Sequence, residues 1–464
     1  MNKILRYAPV LGAVLLLTGC TVPTYEGFAF PEQGGTSIKP AEEYKRSLSL
    51  PDTAPEEPTE QTVSSADGIC TIEKKAHYYA VTLDLEQGDH TAAGAAYAEA
   101  ILAILPDYAE TLEPYLYENI NLFFPETNEK SFAALTDRVT TLKDSLAEEY
   151  RLEIEGFAER ICFGRHGFAA DGALSYEEAL TMQMIPDALR GTACSAASLD
   201  GSRTVSGERI SARILEWLMG SSAQLAQIQT VMRFRNGSNS FTTVSALGLL
   251  DVISGFNDSG VLAGILDVGA GEDHPYTCEG RTCYTYALRH ALEHLTTARE
   301  VGEYMVSQSD RFTYSHNIYV TDRSDAFCAE DSAGGVLGPS VLRGADTPLR
   351  PDYQMTADGT FFVVNCHIAE GSPDQEAFDT HNIIRWKRFN EWFAGDETFT
   401  AGSFKSRLAC ETPECYDHKL NVVGADADAF HVLVLDYATG SVQAAFHRPN
   451  EDAGEPYYIQ IAQI

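Results

Sequence analysis

Residues 190–198 read Arg-Gly-Thr-Ala-Cys-Ser-Ala-Ala-Ser, a run of small residues around a single cysteine, Cys194. The sequence changes character at this point. Before it, long segments combine charged residues with apolar residues three and four positions apart, a spacing typical of amphipathic helices. After it, short apolar runs are separated by glycine, a pattern typical of β-strands. The stretch therefore divides the chain into two parts of different predicted structure.

The composition sets the class of protein. The chain has 464 residues, of which 44% are hydrophobic, and this is enough for two domains and a large core. The formal net charge of −34 repels the phosphates of nucleic acids and anionic lipid surfaces. We therefore expect no nucleic-acid partner, and the simplest role for so much acid is solubility.

The first residues have the pattern of an export signal. Lys3 and Arg6 precede an apolar run over residues 8–17, which is short for a membrane span, and the run ends in Leu-Thr-Gly-Cys at Cys20. This order resembles a bacterial lipobox, in which the cysteine is lipidated, for example with palmitate, and becomes the first mature residue. An ordinary secretory signal is the alternative. We predict a lipoprotein signal peptide over residues 1–19 and a lipid anchor on Cys20 as the only membrane attachment. Because Thr21 is not an aspartate, the outer membrane is the expected location, with the protein facing the periplasm or the surface.

The part before Cys194 is predicted to consist of two segments. Residues 20–67 are rich in Pro, Glu, Ser, Thr and Gly, and we predict a disordered tether there because such a segment buries too little apolar surface to offset its ordering entropy. Residues 68–193 are predicted to form a helical domain, with helices over residues 91–105 and 132–162. Ser175 and Glu178 have the spacing of a capping box that opens a last helix, which Pro186 is expected to end.

Residues 194–464 are predicted to mix strands and helices. An Asn-Gly pair at Asn236 favours a β-hairpin. Helices are predicted over residues 283–305 and 380–393. Strands are predicted within residues 242–255, 260–266, 317–320, 360–364 and 431–436. Elements in this order indicate a layered α+β fold.

Several segments, two of them before Cys194 and the others after it, resemble the isopenicillin N acyltransferase family of autoproteolytic N-terminal-nucleophile hydrolases, with choloylglycine hydrolases as more distant relatives. The similar segments follow the family's order and span roughly residues 147–450. They are residues 148–158 and 174–180, similar to two helices before the nucleophile; 254–261, similar to a Gly-x-Asn turn; 363–366, a strand ending in asparagine; 382–388, similar to a helix with the pattern Ser-x-x-Arg-x-x-Arg; and 431–436, similar to a closing strand.

The resemblance implies a four-layer αββα fold preceded by a helical pro-domain, and a precursor that cleaves itself between Ala193 and Cys194. It implies a hydrolase of small, linear, non-peptide amides, with acyl transfer as a related activity, that forms a thioester on Cys194. The substrate would be a small N-acylated compound. The two chains made from the precursor would stay together as partners, the first of them as the pro-domain and the second, residues 194–464, as the catalytic domain.

The resemblance also implies roles for other residues. Asn365 matches the asparagine that donates to the oxyanion, and Arg385 matches an arginine that supports the site. Arg209 is the nearest match to the arginine of the family's Gly-Arg-Asn-x-Asp segment, but Ile210 and Ser211, which follow it, cannot do the work of that segment's asparagine and aspartate. Arg203 and Arg213 are other candidates for stabilising the thiolate.

The chemistry of an N-terminal cysteine can be argued without the family. A free thiol has a pKa near 8.5 and an α-amine one near 7.7–8.0. The amine released by cleavage can therefore serve as the base for its own thiol, and no separate histidine is required.

The other cysteines suggest disulfides. The chain has ten cysteines, and removing Cys20 and Cys194 leaves an even number. An exported protein favours disulfides, and the spacings are not Cys-x-x-Cys, so we expect neither a metal site nor a cofactor. The predicted pairs are Cys278 with Cys283, Cys410 with Cys415, Cys70 with Cys162 and Cys328 with Cys366, the last two on weaker grounds.

The sequence leaves two hypotheses about the function open. The first is the self-processing amidase. The second is a non-catalytic envelope lipoprotein that uses the same fold as a binding or assembly module, and the altered residues after Arg209 are its main support.

Overall fold

The structure is a computed structural model. It describes residues 49–123, 129–189, 192–237, 239–268, 278–354, 357–373, 377–393, 395–409, 429–449 and 456–464.

Two β-sheets face each other at the centre of the described structure. Neighbouring strands are antiparallel apart from β3 (Tyr79–Asp84) and β6 (Gln229–Arg235), which run parallel. The large sheet has the spatial order β1 (Gln61–Ser64), β2 (Cys70–Lys74), β3, β6, β7 (Phe241–Ala246), β8 (Ser254–Asn257), β9 (Leu262–Asp267), β10 (His316–Thr321), β11 (Ala326–Asp331) and β12 (Val341–Arg343). The small sheet has the order β13 (Thr360–Val363), β4 (Thr192–Leu199), β5 (Ile210–Trp217), β14 (Ala429–Asp436), β15 (Ser441–Phe446) and β16 (Tyr458–Gln463).

Helices cover the outer faces of both sheets. The described α-helices are α1 (His90–Ile104), α2 (Tyr108–Phe123), α3 (Glu129–Asp144), α4 (Glu148–Ile161), α5 (Tyr176–Gln183), α6 (Ile185–Leu189), α7 (Tyr284–His294), α8 (Ala298–Gln308), α9 (Ala377–Phe393) and α10 (Ala401–Leu408). Helix α1 packs on β1–β3 and on α4, and α8 packs on β10 and β11. On the other side of the molecule, α9 contacts β13 and α10 contacts β14. The predicted α+β class is confirmed, and the layers follow the order helix, sheet, sheet, helix.

No helix in the described ranges is long and apolar enough to cross a lipid bilayer.

Strand β4 shows how the small sheet separates two hydrophobic cores. Successive side chains of a strand point to opposite faces. Cys194 and Ala196 belong to the core shared with the large sheet, whereas Ala197 and Leu199 belong to the core under α9 and α10. The side chain of Cys194 therefore points into the space between the two sheets.

The predicted helical domain over residues 68–193 begins differently in the structure. Residues Cys70–Lys74 and Tyr79–Asp84 are strands of the large sheet, and their side chains alternate between buried and partly exposed. This period of two is the signature of a half-buried strand, so the helical prediction was wrong before residue 90. The structure does not set a helical pro-domain apart, because β1–β3 extend the sheet that the second part of the chain also builds.

The predicted tether is bound to the fold over the residues that the structure describes. The backbone N–H of Leu50 donates to Ser406 Oγ at 2.8 Å, and Lys405 Nζ donates to the carbonyl of Pro51 at 2.7 Å. Asp52 accepts a hydrogen bond from the backbone of Gly402 at 2.7 Å, in the first turn of α10. Disorder was therefore the wrong prediction for residues 49–67, because these backbone and capping contacts hold them. Residues 20–48 lie outside the described part.

The predicted helices are found at the expected positions, but the two longest predicted runs are each divided into two helices. Helix α1 and the capping box of Ser175 and Glu178 are confirmed. The run over residues 132–162 is divided between α3 and α4, and the run over residues 283–305 is divided between α7 and α8 because Thr297 caps a new helix. Pro186 lies near the start of the short helix α6 instead of ending α5, and proline is tolerated in a first helical turn.

The strand predictions are confirmed as β7 to β10, β13 and β14, and the hairpin at Asn236 joins β6 to β7.

No disulfide joins the cysteines that the structure describes. Cys70 on β2 and Cys328 on β11 are buried in the main core, where cysteine packs as a small hydrophobic residue. Cys366 donates through its thiol to Tyr353 Oη at 3.3 Å. The bonds predicted for Cys278 with Cys283, Cys70 with Cys162 and Cys328 with Cys366 are therefore not formed. Cys410 and Cys415 lie outside the described residues.

A buried carboxyl group, that of Asp187, holds the segment just before Cys194, and a second one, that of Asp251, raises the sensitivity of the region to pH. Asp187 on α6 accepts hydrogen bonds from the backbone of Tyr284 at 2.7 Å and from Thr285 Oγ1 at 2.6 Å, so it caps the first turn of α7. Burial raises the pKa of Asp187 to about 7. Burial, together with the charge of Asp187, raises the pKa of Asp251 to about 8. The docking of α6 is therefore sensitive to pH.

The sign of this effect follows from the unfolded state, where an aspartate has a pKa of about 3.9. Because both folded pKa values are raised, their contribution to stability is fully present below about pH 4 and is lost as the pH rises towards 8. We predict that Asp251→Asn raises the free energy of unfolding relative to wild type at both pH values, and by on the order of 3 kcal/mol more at pH 8 than at pH 5. Urea unfolding at both pH values measures this. Asp325→Asn, which changes an exposed carboxylate, is the control, and an equal effect of Asp251→Asn at both pH values would contradict the account.

Candidate active site

Cys194 lies near the start of β4, between β5 and β13, and is fully buried. Leu215 is its partner on β5. On the other side, β13 pairs Val363 with Ala196. Continuing this antiparallel register by two residues brings Asn365 opposite Cys194, so the strand order of the small sheet builds the site.

The thiol of Cys194 has an arginine beside it. Arg213 Nη2 lies 3.2 Å from Sγ and also donates to the carbonyl of Ile265 on β9 at 2.5 Å. The arginine side chain thus crosses from the small sheet to the large one. It can do so because residue 264 is glycine: a Cβ there would lie 2.2 Å from both Cδ and Nε of Arg213.

The surroundings of the Cys194 thiol shift its pKa in two opposite directions. Burial raises the pKa of Cys194, whereas the charge and hydrogen bond of Arg213 and a hydrogen bond from the Glu216 backbone lower it. The net pKa is raised, so the thiol of the continuous chain is protonated at neutral pH. Arg213 is positioned to stabilise a thiolate once the site gains water or a second base.

The backbone of Cys194 is also bound by side chains. Its N–H donates to Asn365 Oδ1 at 2.9 Å, and its carbonyl accepts from Arg385 Nη1 at 2.8 Å. Both side chains are at least nine-tenths buried, with relative exposures of 5% for Asn365 and 6% for Arg385. Three different side chains therefore hold the nitrogen, the carbonyl oxygen and the sulfur of one residue.

The orientation of the Asn365 amide follows from its partners. Arg385 Nη2 lies 2.8 Å from Oδ1 and can only donate, whereas the carbonyl of Asp267 lies 2.6 Å from Nδ2 and can only accept. Asn365 thus presents an acceptor to the nitrogen of Cys194. Its donor atom, Nδ2, is bound to the carbonyl of Asp267 in the continuous chain. The resemblance assigns this donor to the oxyanion, and that role of Asn365 stays a prediction.

Helix α9 supplies the second support of Asn365. Asn382 and Arg385 are three residues apart and so lie on one face of the helix. Asn382 Oδ1 accepts from the backbone N–H of Asn365 and from Arg385 Nη2, both at 2.8 Å. Arg385 also lies 3.7 Å from Glu216. The predicted residues Asn365 and Arg385 are thus brought to Cys194 together.

Arg209 is placed elsewhere. It pairs with Asp200 and donates to the carbonyl of Asp322 at 3.0 Å. It precedes β5 by one residue, and the distance along that strand to Leu215, the partner of Cys194, is roughly 20 Å. The arginine beside the thiol is Arg213, one of the two alternatives, and the structure does not place Arg209 at the thiol. The other alternative, Arg203, donates to the carbonyl of Asp358 at 2.9 Å.

Glu216 and Asp267 were missed because their contacts depend on pairing between distant strands. His431 is a further buried neighbour: its Nε2 lies 3.0 Å from Ser254 Oγ, and burial and the charge of Arg213 hold its pKa well below the usual range. This histidine therefore stays neutral. Within the described ranges no three His, Cys, Asp or Glu side chains are grouped as metal ligands.

Neither a known family profile nor a curated protein matches the sequence. Among solved structures, the chain is similar to a Caenorhabditis elegans ortholog of N-acylethanolamine-hydrolyzing acid amidase, with 13% identity over 52% of this chain and 92% of the other and a TM-score of 0.36. It is similar to penicillin V acylase from Agrobacterium tumefaciens, with 12% identity over 55% and 83% and a TM-score of 0.32. A variant of the conjugated bile acid hydrolase from Clostridium perfringens follows, with 10% identity over 58% and 97% and a TM-score of 0.32. At these TM-scores the similarities assign no function to this chain.

We predict that Arg213→Gln raises the pKa of the Cys194 thiol, because it removes a positive charge that lies within hydrogen-bond distance of the sulfur. Gly264→Ala should have a similar effect, since its methyl group displaces Arg213. The ¹³Cβ chemical shift of labelled cysteine, followed against pH and assigned with Cys194→Ser, measures this pKa.

The double variant Arg213→Gln with Gly264→Ala is the control. If Gly264 acts only by making room for Arg213, the double variant has the same Cys194 pKa as Arg213→Gln alone. Additive shifts, or a pKa that neither single variant changes, would contradict the described contact.

Proposed function

We propose that this protein is a self-processing amide hydrolase in which Cys194, released as an N-terminal residue by cleavage after Ala193, is the nucleophile. The observation that carries the proposal is the binding of the Cys194 backbone. A nucleophile inside a continuous chain needs only its side chain positioned. Here a buried carboxamide accepts from the nitrogen and a buried arginine donates to the carbonyl, an arrangement that suits an α-amine with a catalytic role.

The first reaction would be the cleavage of the chain itself. The sulfur of Cys194 attacks the carbonyl carbon of Ala193, the C–N bond between the two residues breaks, and a thioester forms. The departing nitrogen takes up the thiol proton and becomes an amine. Water then hydrolyses the thioester, which leaves a carboxylate on Ala193 and restores the thiol.

The same groups would act on a second substrate. The α-amine, near Asn365 Oδ1, accepts the thiol proton because the two groups have similar pKa values near neutrality. The sulfur attacks the acyl carbonyl of a small N-acylated compound, the amine of that compound leaves with the proton, and water hydrolyses the thioester. Arg213 supports the thiolate, and Asn365 becomes an oxyanion donor if Nδ2 leaves the Asp267 carbonyl.

The two chains made by cleavage would remain together. Strand β3 of the first pairs with β6 of the second over six residues. The strap at residues 50–55 binds α10, and its carbonyls at Asp52 and Pro55 accept from β15 and β16 at 2.8 Å each. Each half completes the sheet or core of the other, so we propose a stable two-chain product without a covalent link.

The non-catalytic hypothesis keeps one specific observation in its favour. Cys194 is fully buried in the continuous chain and burial raises its pKa. A binding or assembly module would keep this state permanently. The amidase would leave it when the peptide bond before Cys194 is cut, so the state of that bond separates the two hypotheses.

We predict that the purified wild-type protein consists of two chains divided between Ala193 and Cys194, and that Cys194→Ala remains one chain because the attacking sulfur is missing. Intact and reduced mass spectrometry measures both. Cys162→Ala, which changes another buried cysteine, should be processed like wild type. A single wild-type chain would contradict the proposal, and cleavage of Cys194→Ala at the same bond would indicate an outside protease.

We also propose that Cys20 carries a lipid and anchors the protein to the outer membrane. The support is the order of basic residues, apolar run and Leu-Thr-Gly-Cys in the first twenty residues. Metabolic labelling with an alkyne fatty acid should mark the wild-type protein and not Cys20→Ser, and the label should be found on the fragment that precedes Cys194. Equal labelling of both proteins, or none of the wild type, would contradict the anchor.

A further inference from the structure

Asn365 lies where the regular pairing of its strand has ended. Strand β13 stops at Val363, so the two residues that follow lie outside its regular ladder. The backbone N–H of Asn365 donates to a side chain, Asn382 Oδ1, instead of to a neighbouring strand. Other contacts must therefore hold this segment at the height of Cys194.

A fully buried side chain of the large sheet provides those contacts. Asn317 on β10 reaches across the space between the sheets, and its Nδ2 donates to the carbonyl of Val364 at 2.8 Å and to the carbonyl of Cys366 at 2.9 Å. These two carbonyls belong to the residues on either side of Asn365. Both N–H groups of one carboxamide thus hold the backbone that carries the site's central acceptor.

The neighbouring strand holds the side chain of the same residue. Asp267 on β9, whose carbonyl accepts from Asn365 Nδ2 at 2.6 Å, is paired with His316 in the sheet, and Asn317 is paired with Leu266. Adjacent strands of one rigid sheet therefore fix the backbone and the amide of Asn365 together. Its Oδ1 is left facing the nitrogen of Cys194.

Asn317 also departs from the rule that buried polar atoms are hydrogen-bonded. Its Oδ1 is buried and has no hydrogen-bond partner in the described part of the chain, and an unsatisfied buried acceptor carries a desolvation penalty. An apolar residue of the same size would avoid that penalty, but it would leave the carbonyls of Val364 and Cys366 without this donor. Residues that break a local rule in this way are expected at functional sites.

We infer that Asn317 is a positioning residue for the cleavage after Ala193: it holds Asn365 in the place from which the nitrogen of Cys194 is bound. The inference rests on the proposed function. It concerns geometry alone, because a neutral carboxamide bound to two carbonyls exchanges no proton. Displacing a reacting group by about 1 Å can cost on the order of 10²-fold in rate.

The test compares the rate of self-cleavage in Asn317→Leu and wild type, followed by mass spectrometry during refolding over a range of pH. The expected result is that Asn317→Leu cleaves itself about 10- to 100-fold more slowly than wild type. The factor should be the same at each pH, because the substitution changes the position of Asn365 and removes no titrating group. If Asn317→Leu does not fold, Asn317→Ala is measured instead, since the smaller side chain leaves room for a water to bind the two carbonyls.

Tyr319→Phe is the matched control. Tyr319 lies on the same strand and also reaches across to the small sheet, where its hydroxyl bonds Ser198 Oγ, away from Asn365. The Tyr319→Phe protein should cleave itself at the wild-type rate, although it also loses a contact between the sheets. Wild-type cleavage in the Asn317 variants, equal slowing in Tyr319→Phe, or a shifted pH profile would each overturn the inference while the proposed function stands. An uncut wild type would overturn the proposed function and this inference with it.

Discussion

The site depends on one hydrogen bond, from the backbone nitrogen of Cys194 to Asn365 Oδ1. Nearly every other polar contact in the region orients one of its two ends. Arg385 and Asn382 hold Asn365 from the helical layer, and Asp267 and Asn317 hold it from the large sheet. The acceptor cannot turn into a donor without breaking bonds to two partners that each allow only one orientation. Such preorganisation is what a catalytic α-amine requires.

The charge beside the Cys194 thiol also depends on the space between the two sheets. Arg213 reaches the thiol by passing Gly264 of the opposite sheet, so the charge beside the Cys194 thiol requires both sheets to be in place. The first part of the chain contributes β1–β3 to one of those sheets and Asp187 to the first turn of α7. The segment before Cys194 is therefore part of the scaffold, and under the proposed function it stays bound through these contacts after the cut.

The sequence predicted the α+β class, the capping box at Ser175 and the strand over residues 431–436, because these depend on local periodicity and spacing. It also indicated Cys194, Asn365 and Arg385 as a group. It did not distinguish Arg209 from Arg213, because the choice depends on the register between β4 and β5, which no local pattern encodes. Asn317, Glu216 and Asp267 could not be found for the same reason. The strands over residues 70–84 were readable from their alternation, and were missed because neighbouring helical segments outweighed a short period-two signal. The three predicted disulfides whose cysteines the structure describes are not formed, and sequence spacing could not show this because it says nothing about burial.

The central claim is that Cys194 works as an N-terminal residue held by Asn365. Sequencing the purified wild-type protein from its free N-termini tests it most directly. The account predicts a sequence that begins Cys-Ser-Ala-Ala-Ser at Cys194, in an amount equal to that of the protein. The absence of any N-terminus at Cys194, with the chain continuous through Ala193, would contradict it.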